Sequence, residues 1–359
     1  MKVLAAMSGG VDSAVAAARA VDMGHDVVGV HLALSRSASG KRGCCTPRDA
    51  QDAAQAAQAI GIPFYVWDFS EEFQEKVIDN FISEYSAGRT PNPCLRCNEH
   101  IKFSSLLRRA LALGFDAVCT GHYARVFLDE DGTYQLHRAS SWAKDQSYVL
   151  AVLQQAQLKH CYFPLGATPS KKLVRQEADE RGLKVSKKPD SHDVCFIPSS
   201  NTGAWLSQRI GRRDGDIIDD LGQRVGSHTG AFAYTVGQRK GLRLSSPAWD
   251  GKPRYVLDIE PISNTVVVGP RESLRVDELS GAFTTTGWCF TSRPIECSVQ
   301  VRAHSDPVSA IAFIRDDVLV VRPDEPVFAV AKGQSAAIYR GTRVLGQLMI
   351  DNTKKYASS

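Results

Sequence analysis

Between Lys2 and Thr120 the chain alternates short, nearly continuous apolar runs with longer stretches whose apolar residues recur every three to four positions. Lys2–Ala6, Val27–Leu32, Phe64–Trp67 and Ala117–Thr120 read as strands buried on both faces. Between them lie Ala14–Met23 closed by Gly24, Pro47–Ile60 closed by Gly61, and Ile101–Leu113 closed by Gly114. Each is helical in period, with a glycine where a helix commonly stops. Glu71–Ser86 is amphipathic, with Phe73, Val77, Phe81 and Tyr85 on one face. This βαβ alternation predicts an α/β domain with a doubly wound parallel sheet. Ligands in such sheets sit at the carboxyl ends of the strands, which puts Ser8, Leu32 and Gly121 on one rim.

The pattern then loosens. Tyr123–Arg138 reads as a β-hairpin turning at Asp129–Gly132, and Gln146–Gln157 and Ser170–Arg181 read as helices. From about Gly211 onward, short strands alternate with Gly, Pro and Asp turns. Gly215–Gly269 forms one small β unit. Leu279–Ile350 forms another, with strands at Cys297–Val301, Val318–Val321, Val327–Val330 and Ala336–Tyr339. All-β runs of this size predict small barrels. The expected division is 1–210 for the α/β domain, 211–275 for a small central β domain and 276–359 for a C-terminal β-barrel. The polar end, Asp351–Ser359, is expected to fray.

Composition changes this picture little. The 359 residues are 43% apolar, ample for packed cores, and no apolar run approaches a membrane span. The N-terminal apolar run is too short for a signal peptide, so the expected compartment is the cytosol. Net charge is only +4, but basic residues cluster: Lys171, Lys172 and Arg175; Lys187 and Lys188; Arg209, Arg212 and Arg213; Arg239, Lys240 and Arg243. A solvated surface explains each cluster singly, whereas their succession also fits a polyanion partner.

The chemistry concentrates in two places. The first is Ser8-Gly9-Gly10-Val11-Asp12-Ser13, between the first strand and the first helix. Glycines admit an anion close to backbone N–H groups, and the helix start adds orphan donors and the positive dipole end. Ser8 and Ser13 add hydroxyls, while Asp12 is a candidate N-cap or metal ligand. No Gly-Lys-Ser/Thr follows, so this is not the loop that serves transfer of a terminal phosphoryl group.

The second is the cysteines. Of nine (Cys44, Cys45, Cys94, Cys97, Cys119, Cys161, Cys195, Cys289 and Cys297), only Cys94 and Cys97 have Cys-x-x-Cys spacing. In a reducing compartment that spacing points to metal, cluster or redox chemistry. Pro91 and Pro93 predict a rigid, non-helical loop that leaves Cys97 just before a helix starting at Ile101. The helix dipole and Arg96 there favour thiolate. Cys195 lies in a polar stretch after Lys187 and Lys188, near His192, which is either a base or a solvated histidine. Cys119, Cys161, Cys289 and Cys297 read as structural. Cys44 and Cys45, beside a basic loop, read as an incidental pair.

The Ser8–Ser13 stretch resembles the PP-loop signature of ATP pyrophosphatases, which implies transfer of AMP to a substrate oxygen with release of pyrophosphate. Over nearly its whole length the chain resembles the tRNA-specific 2-thiouridylases. The motifs are Ala6–Ser13, Thr90–Pro93 with Cys97 and Asn98, Thr120–Tyr123, Lys144–Ser147, Asp190–Ser191 through Cys195–Ile197, Tyr234–Leu242, Gly333–Gln334 and Leu345–Gly346. The resemblance implies a PP-loop domain, a small central β domain and a C-terminal β-barrel. It implies ATP-dependent replacement of the 2-oxygen of the wobble uridine by sulfur, in tRNAs for lysine, glutamate and glutamine. It assigns ATP to Ala6, Met7, Ser8, Gly9, Gly10, Val11, Asp12, Ser13, Leu32 and Gly121, with Mg²⁺ neutralising phosphate charge. Cys195 would carry a persulfide supplied by a cysteine desulfurase or a sulfur-relay protein, and Cys97 would be the nucleophile. The route ends in a Cys97–Cys195 disulfide that must be reduced each cycle. Asn92, Pro93 and Cys94 would meet the target base, extruded from its stack. Lys144, Asp145, Gln146, Arg302 and Ala303 would meet tRNA elsewhere.

Two departures stand out. Cys94 replaces an aspartate of some members, which removes a plausible proton shuttle. Ala303 stands where an aromatic is often found. Cys94, Cys97 and Cys195 also permit an alternative, three ligands of a [4Fe–4S] cluster with one open site. Two other classes compete: a PP-loop ligase that adenylates a small molecule, and a non-catalytic tRNA- or metal-binding module.

Overall fold

A computed structural model describes residues 1–34, 46–189, 194–197, 201–245 and 250–355. The first half is a five-stranded parallel sheet in the order β3-β2-β1-β4-β7, with β1 Lys2–Ala6, β2 Asp26–Ala33, β3 Phe64–Asp68, β4 Ala117–Cys119 and β7 Cys161–Tyr162. The period-two alternation of β1 sorts the two layers. Val3 and Ala5 face helices α1 (Val11–Asp22), α2 (Pro47–Ile60) and α5 (Lys171–Glu180), whereas Leu4 faces the opposite layer. That opposite layer consists of helix α3, residues 70–86, and helix α4, residues 93–112, each of which contains a run of wide π-type turns.

Helix α4 departs from the sequence expectation. It starts at Pro93 rather than at Ile101, so Cys94 and Cys97 are helical residues, not loop residues. The cause is local. Proline is tolerated at the first helical position, where its missing N–H is not needed. The Asn92 side-chain oxygen caps the end, accepting from the N–H groups of Cys94 at 3.0 Å and Leu95 at 3.4 Å. Gln146–Gln157 likewise forms two short helices, Ser147–Leu150 and Gln155–Leu158, rather than one. Strand β7 and helix α6 (Thr202–Ile210) have no counterpart in the hydrophobic pattern as read.

The expected hairpin forms as β5 (Ala124–Leu128) and β6 (Tyr134–Arg138), but it docks elsewhere. Through β6 it pairs with the C-terminal sheet, extending the order β21-β13-β17-β16-β15-β19-β20-β6-β5. That sheet forms the C-terminal barrel: β13 Glu278–Gly281, β14 Phe283–Thr285, β15 Ile295–Gln300, β16 Val308–Arg315, β17 Val318–Pro323, β19 Ser335–Arg340, β20 Arg343–Met349 and β21 Asn352–Lys354. A two-residue ribbon, β12 Arg275–Val276 with β18 Val327–Phe328, lies beside it. The central unit is a four-stranded sheet, β10 (Tyr255–Glu260), β11 (Thr265–Gly269), β8 (Gly215–Asp219) and β9 (Arg224–His228), over a core of Ile217, Val256, Val266 and Val268. Among the described residues no helix is long and apolar enough to cross a membrane.

Candidate active site: a nucleotide loop and two cysteines

The loop after β1 is held from within. Met7 N–H donates to Val30 O at 2.8 Å, continuing the sheet one residue past β1. Ser8 N–H donates to Ser13 Oγ at 3.1 Å, the two hydroxyls lie 3.2 Å apart, and Ser13 Oγ donates to Gly10 O at 3.1 Å. Gly9 has φ +79°, and a Cβ there would lie 2.3 Å from Asp49 O in the first turn of α2, so only glycine fits. Gly10 is the N-cap of α1 and supplies no side chain, which leaves the first-turn N–H groups as donors for an anion. Gly121, just past β4, approaches α1 so closely that a Cβ would sit 2.7 Å from Ser13 N. Leu32 is buried at the carboxyl end of β2. Ser8, Leu32 and Gly121 therefore share the rim expected of them.

Asp12 does not cap the helix. Its carboxylate accepts from Tyr123 Oη at 2.8 Å and from Lys171 Nζ. A second lysine stands on the loop's other side: Lys188 Nζ donates to Gly9 O at 2.9 Å, Asp49 Oδ1 at 2.7 Å and Asp52 Oδ2 at 2.6 Å. Burial pushes the Asp49 carboxyl up, but hydrogen bonds from Lys188 and Thr46 outweigh it, so the net position is below the usual carboxylate range. The sequence marks Tyr123 only as the end of the Thr120–Tyr123 motif and Lys171 and Lys188 only as members of basic clusters; their partnership with Asp12, Gly9 and Asp49 is a tertiary feature. Other members of those clusters also have partners within the chain. Arg209 stacks 3.6 Å over Trp205, Arg212 pairs with Asp214 at 2.7 Å, and Arg213 donates to Ile262 O at 2.9 Å.

Cys97 and Cys195 border one extended apolar cluster. Cys97 is 8% exposed among Phe73, Phe81, Ile101 and Trp205, and Cys195 packs against the same cluster. The segment Val194–Ile197 is a turn closed by Ile197 N–H to Val194 O at 3.1 Å. Phe196 anchors it, its ring 5.3 Å from both Phe81 and Trp205 and 5.9 Å from Phe73. Leu32 and Leu34 at the end of β2 belong to this cluster, which links the cysteines to the rim of the nucleotide loop. Cys94 is exposed, one turn before Cys97. Asn98 is 1% exposed and donates to Val149 O at 2.8 Å. His122 packs tilted against Phe103 and edge-on to Phe163, and burial, reinforced by the Lys102 charge, holds it well below the ordinary histidine range and therefore neutral.

Burial pushes the thiols of Cys119 and Cys161 up, and that of Cys297 up to about 12, which makes all three poor nucleophiles. Cys44, Cys45, Asp190, Ser191 and His192 lie outside the described residues. Among the described residues no three His, Cys, Asp or Glu side chains converge as a metal-binding group, so Cys94, Cys97 and Cys195 do not stand as a preformed cluster site.

The segment Lys144–Gln146 is organised by Asp145, whose side chain is 4% exposed. It accepts from Arg138 Nη1 at 2.8 Å, Ala139 N at 2.9 Å and Ser147 Oγ at 2.7 Å. Asp145 is thus turned inward, while Gln146 is exposed and accepts from Tyr123 N at 3.0 Å. Arg302 is exposed and donates to Ala329 O. Ala303 packs against the apolar cluster that contains Leu95, Phe103 and Tyr339.

Family models match the chain in three consecutive pieces: a tRNA methyl transferase HUP domain over residues 1–199, a tRNA methyl transferase PRC-barrel domain over 203–270, and an aminomethyltransferase beta-barrel domain over 279–350. Among curated relatives, the tRNA-specific 2-thiouridylase MnmA of Leifsonia xyli subsp. xyli is 62% identical over 360 residues, covering 98% of each chain. The proteins of the same name from Clavibacter sepedonicus and Streptomyces coelicolor are 59% and 58% identical, covering 98% and 99% of this chain and 92% and 96% of their own.

Proposed function

Because the chain belongs to the tRNA-specific 2-thiouridylase family, and is therefore an ATP-using tRNA sulfurtransferase, we propose that it thiolates the 2-position of the wobble uridine in tRNAs for lysine, glutamate and glutamine, through a cysteine persulfide. A uracil carbonyl oxygen is a poor leaving group. Attack of that oxygen on the α-phosphorus of ATP converts it to an adenylate, and pyrophosphate departs against the loop's backbone donors and the Ser8 and Ser13 hydroxyls. Asp12, held by Tyr123 and Lys171, is the carboxylate at the loop that would hold Mg²⁺, which would supply neutralisation of phosphate charge.

Sulfur reaches Cys195 as a persulfide from a cysteine desulfurase or a sulfur-relay protein. Cys97 attacks the persulfide and releases hydrosulfide, which displaces AMP. Alternatively, the persulfide attacks the carbon and Cys97 then frees the product. Either way Cys97 and Cys195 end as a disulfide. Asn92, Pro93 and Cys94 line the approach of the extruded base, and Lys144, Gln146, Arg302 and Ala303 are the tRNA contacts. Asp145 acts in that set by shaping the segment. The compartment of action is the cytosol, and the working division of the chain falls near residues 210 and 275.

The observation that carries the persulfide reading is the common apolar cluster of Cys97 and Cys195, continuous with the nucleotide rim at Leu32. The missing three-ligand group favours it over the [4Fe–4S] alternative. The test is pyrophosphate release from ATP, measured with and without tRNA. Release should require tRNA bearing an unmodified wobble uridine. Release driven by a small carboxylic acid alone would instead mark a small-molecule ligase.

A further inference from the structure

The persulfide cycle leaves an oxidised pair that has to be reset, and the two sulfurs of that pair differ in access. Cys97 is 8% exposed within the apolar cluster that holds Phe81 and Trp205, whereas Cys195, which takes up the donor's sulfur, is half-buried. Reduction of a disulfide depends on access to its sulfurs. We propose that Cys94 is the resolving thiol: it displaces Cys195 from the disulfide, which frees Cys195 for the next sulfur donor, and presents the remaining bond to a dithiol reductant at the surface. The proposal rests on the persulfide reading.

Two features converge on Cys94. The first is exposure, in contrast to Cys97 one turn deeper. Its N–H is tied to the Asn92 cap at 3.0 Å, which holds it at the start of α4. The second is spacing. Residues 93–97 are continuous helix, with Arg96 and Cys97 in the αR region. Helical geometry sets Cα atoms three residues apart at about 5 Å, inside the roughly 4.4–6.8 Å window of a disulfide.

The exchange balances. The Cys94 thiolate attacks Cys97 Sγ, the Cys97–Cys195 bond breaks, a Cys94–Cys97 bond forms, and Cys195 leaves as a thiolate ready to accept the next sulfur. A dithiol reductant then attacks the exposed Cys94 sulfur. It supplies two electrons, is itself oxidised to a disulfide, and returns Cys94 and Cys97 to thiols. Reset follows tRNA departure, since the base and the reductant use the same exposed end of α4 in turn.

The experiment follows the full-length protein through one turnover with tRNA, ATP and a persulfide donor. Thiols are trapped by alkylation and disulfides mapped by mass spectrometry. Wild type should yield both Cys97–Cys195 and Cys94–Cys97 bridges. Because Cys94 also lines the approach of the base, the Cys97–Cys195 bridge of Cys94→Ser is formed with a chemical thiol oxidant rather than by turnover, and wild type is oxidised in parallel; a protein dithiol should reduce the variant's bridge at least about tenfold more slowly than wild type's, because an intramolecular attack has been removed. A small phosphine that needs no docking should reduce both proteins. Equal dithiol rates, with no Cys94–Cys97 species in wild type, overturn the resolving role and leave the persulfide reading standing. Absence of any Cys97–Cys195 bridge in either protein overturns the persulfide reading, and the resolving role with it.

Discussion

Gly9 has a positive φ and a backbone carbonyl 2.3 Å from where its Cβ would be. Gly9→Ala therefore meets about 1–2 kcal/mol of backbone strain and a clash with α2 that only loop movement relieves. The expected result is loss of ATP binding at a fold otherwise intact, read by nucleotide titration beside a circular dichroism spectrum; unchanged affinity would mean that the loop is not the phosphate seat. Cys97→Ser and Cys195→Ser should each abolish 2-thiouridine formation, measured by nucleoside mass spectrometry, while ATP binding survives. The Lys188–Asp49 pair gives a pH prediction. Asp49 titrates lower folded than unfolded, so its stabilisation is complete above the ordinary aspartate range and fades as pH falls through the lower folded value. Urea unfolding of Asp49→Asn and wild type should differ most near pH 7, and the difference should shrink as pH falls below the ordinary aspartate range. A constant difference over this fall in pH would show that packing, not charge, is what the substitution removes.

At the scale of elements, α4 is the informative case. Its cap predicts that Asn92→Ala costs about 1 kcal/mol in chemical unfolding and loosens the first turn, where Cys94 sits. The strands of the parallel sheet were legible because continuous apolar runs between helical periods leave little choice, and α2 was legible to the residue: Thr46, Pro47 and Asp49 spell its capping box. The start of α4 was not, because Pro91 and Pro93 read alike while only Pro93 follows a capping asparagine. The nucleotide loop could be read from its glycines and serines. Tyr123 and Lys171 at Asp12 could not, since they come from residues more than a hundred positions away in sequence. That Cys97 and Cys195 share one cluster depends on Phe196 entering the α3–α6 aromatic group, a tertiary event that periodicity does not encode. The hairpin β5–β6 was visible, but its docking on the barrel was not, because the junction joins residues some two hundred positions apart: His137 pairs with Arg343, and Arg138 N–H donates to Thr342 O at 2.9 Å.

At the scale of the molecule, the domains are joined by buried polar links as well as apolar contact. Arg138 is 2% exposed, pairs with Asp145, donates to Gln300 Oε1 at 2.8 Å and lies 3.6 Å over the Tyr339 ring. Arg138→Met strands a buried carboxylate and should cost about 3–5 kcal/mol in thermal or urea unfolding, an effect confined to small values if the site were solvated. On the other side, Thr90 N–H donates to Lys332 O at 2.8 Å and Arg89 pairs with Asp351 at 2.9 Å, immediately before α4 begins. Helix α4 then divides its side chains between two cores. Cys97 and Ile101 belong to the α/β domain, while Leu95 and Phe103 pack with Ala337, Tyr339 and Val344 of the barrel. The nucleotide loop has no such dual allegiance. Loosening of the barrel would therefore disturb the alignment of the sulfur chemistry without touching the loop that grips ATP, so a barrel-weakening substitution such as Ala337→Asp should lower 2-thiouridine formation at a temperature where nucleotide titration still shows full ATP binding.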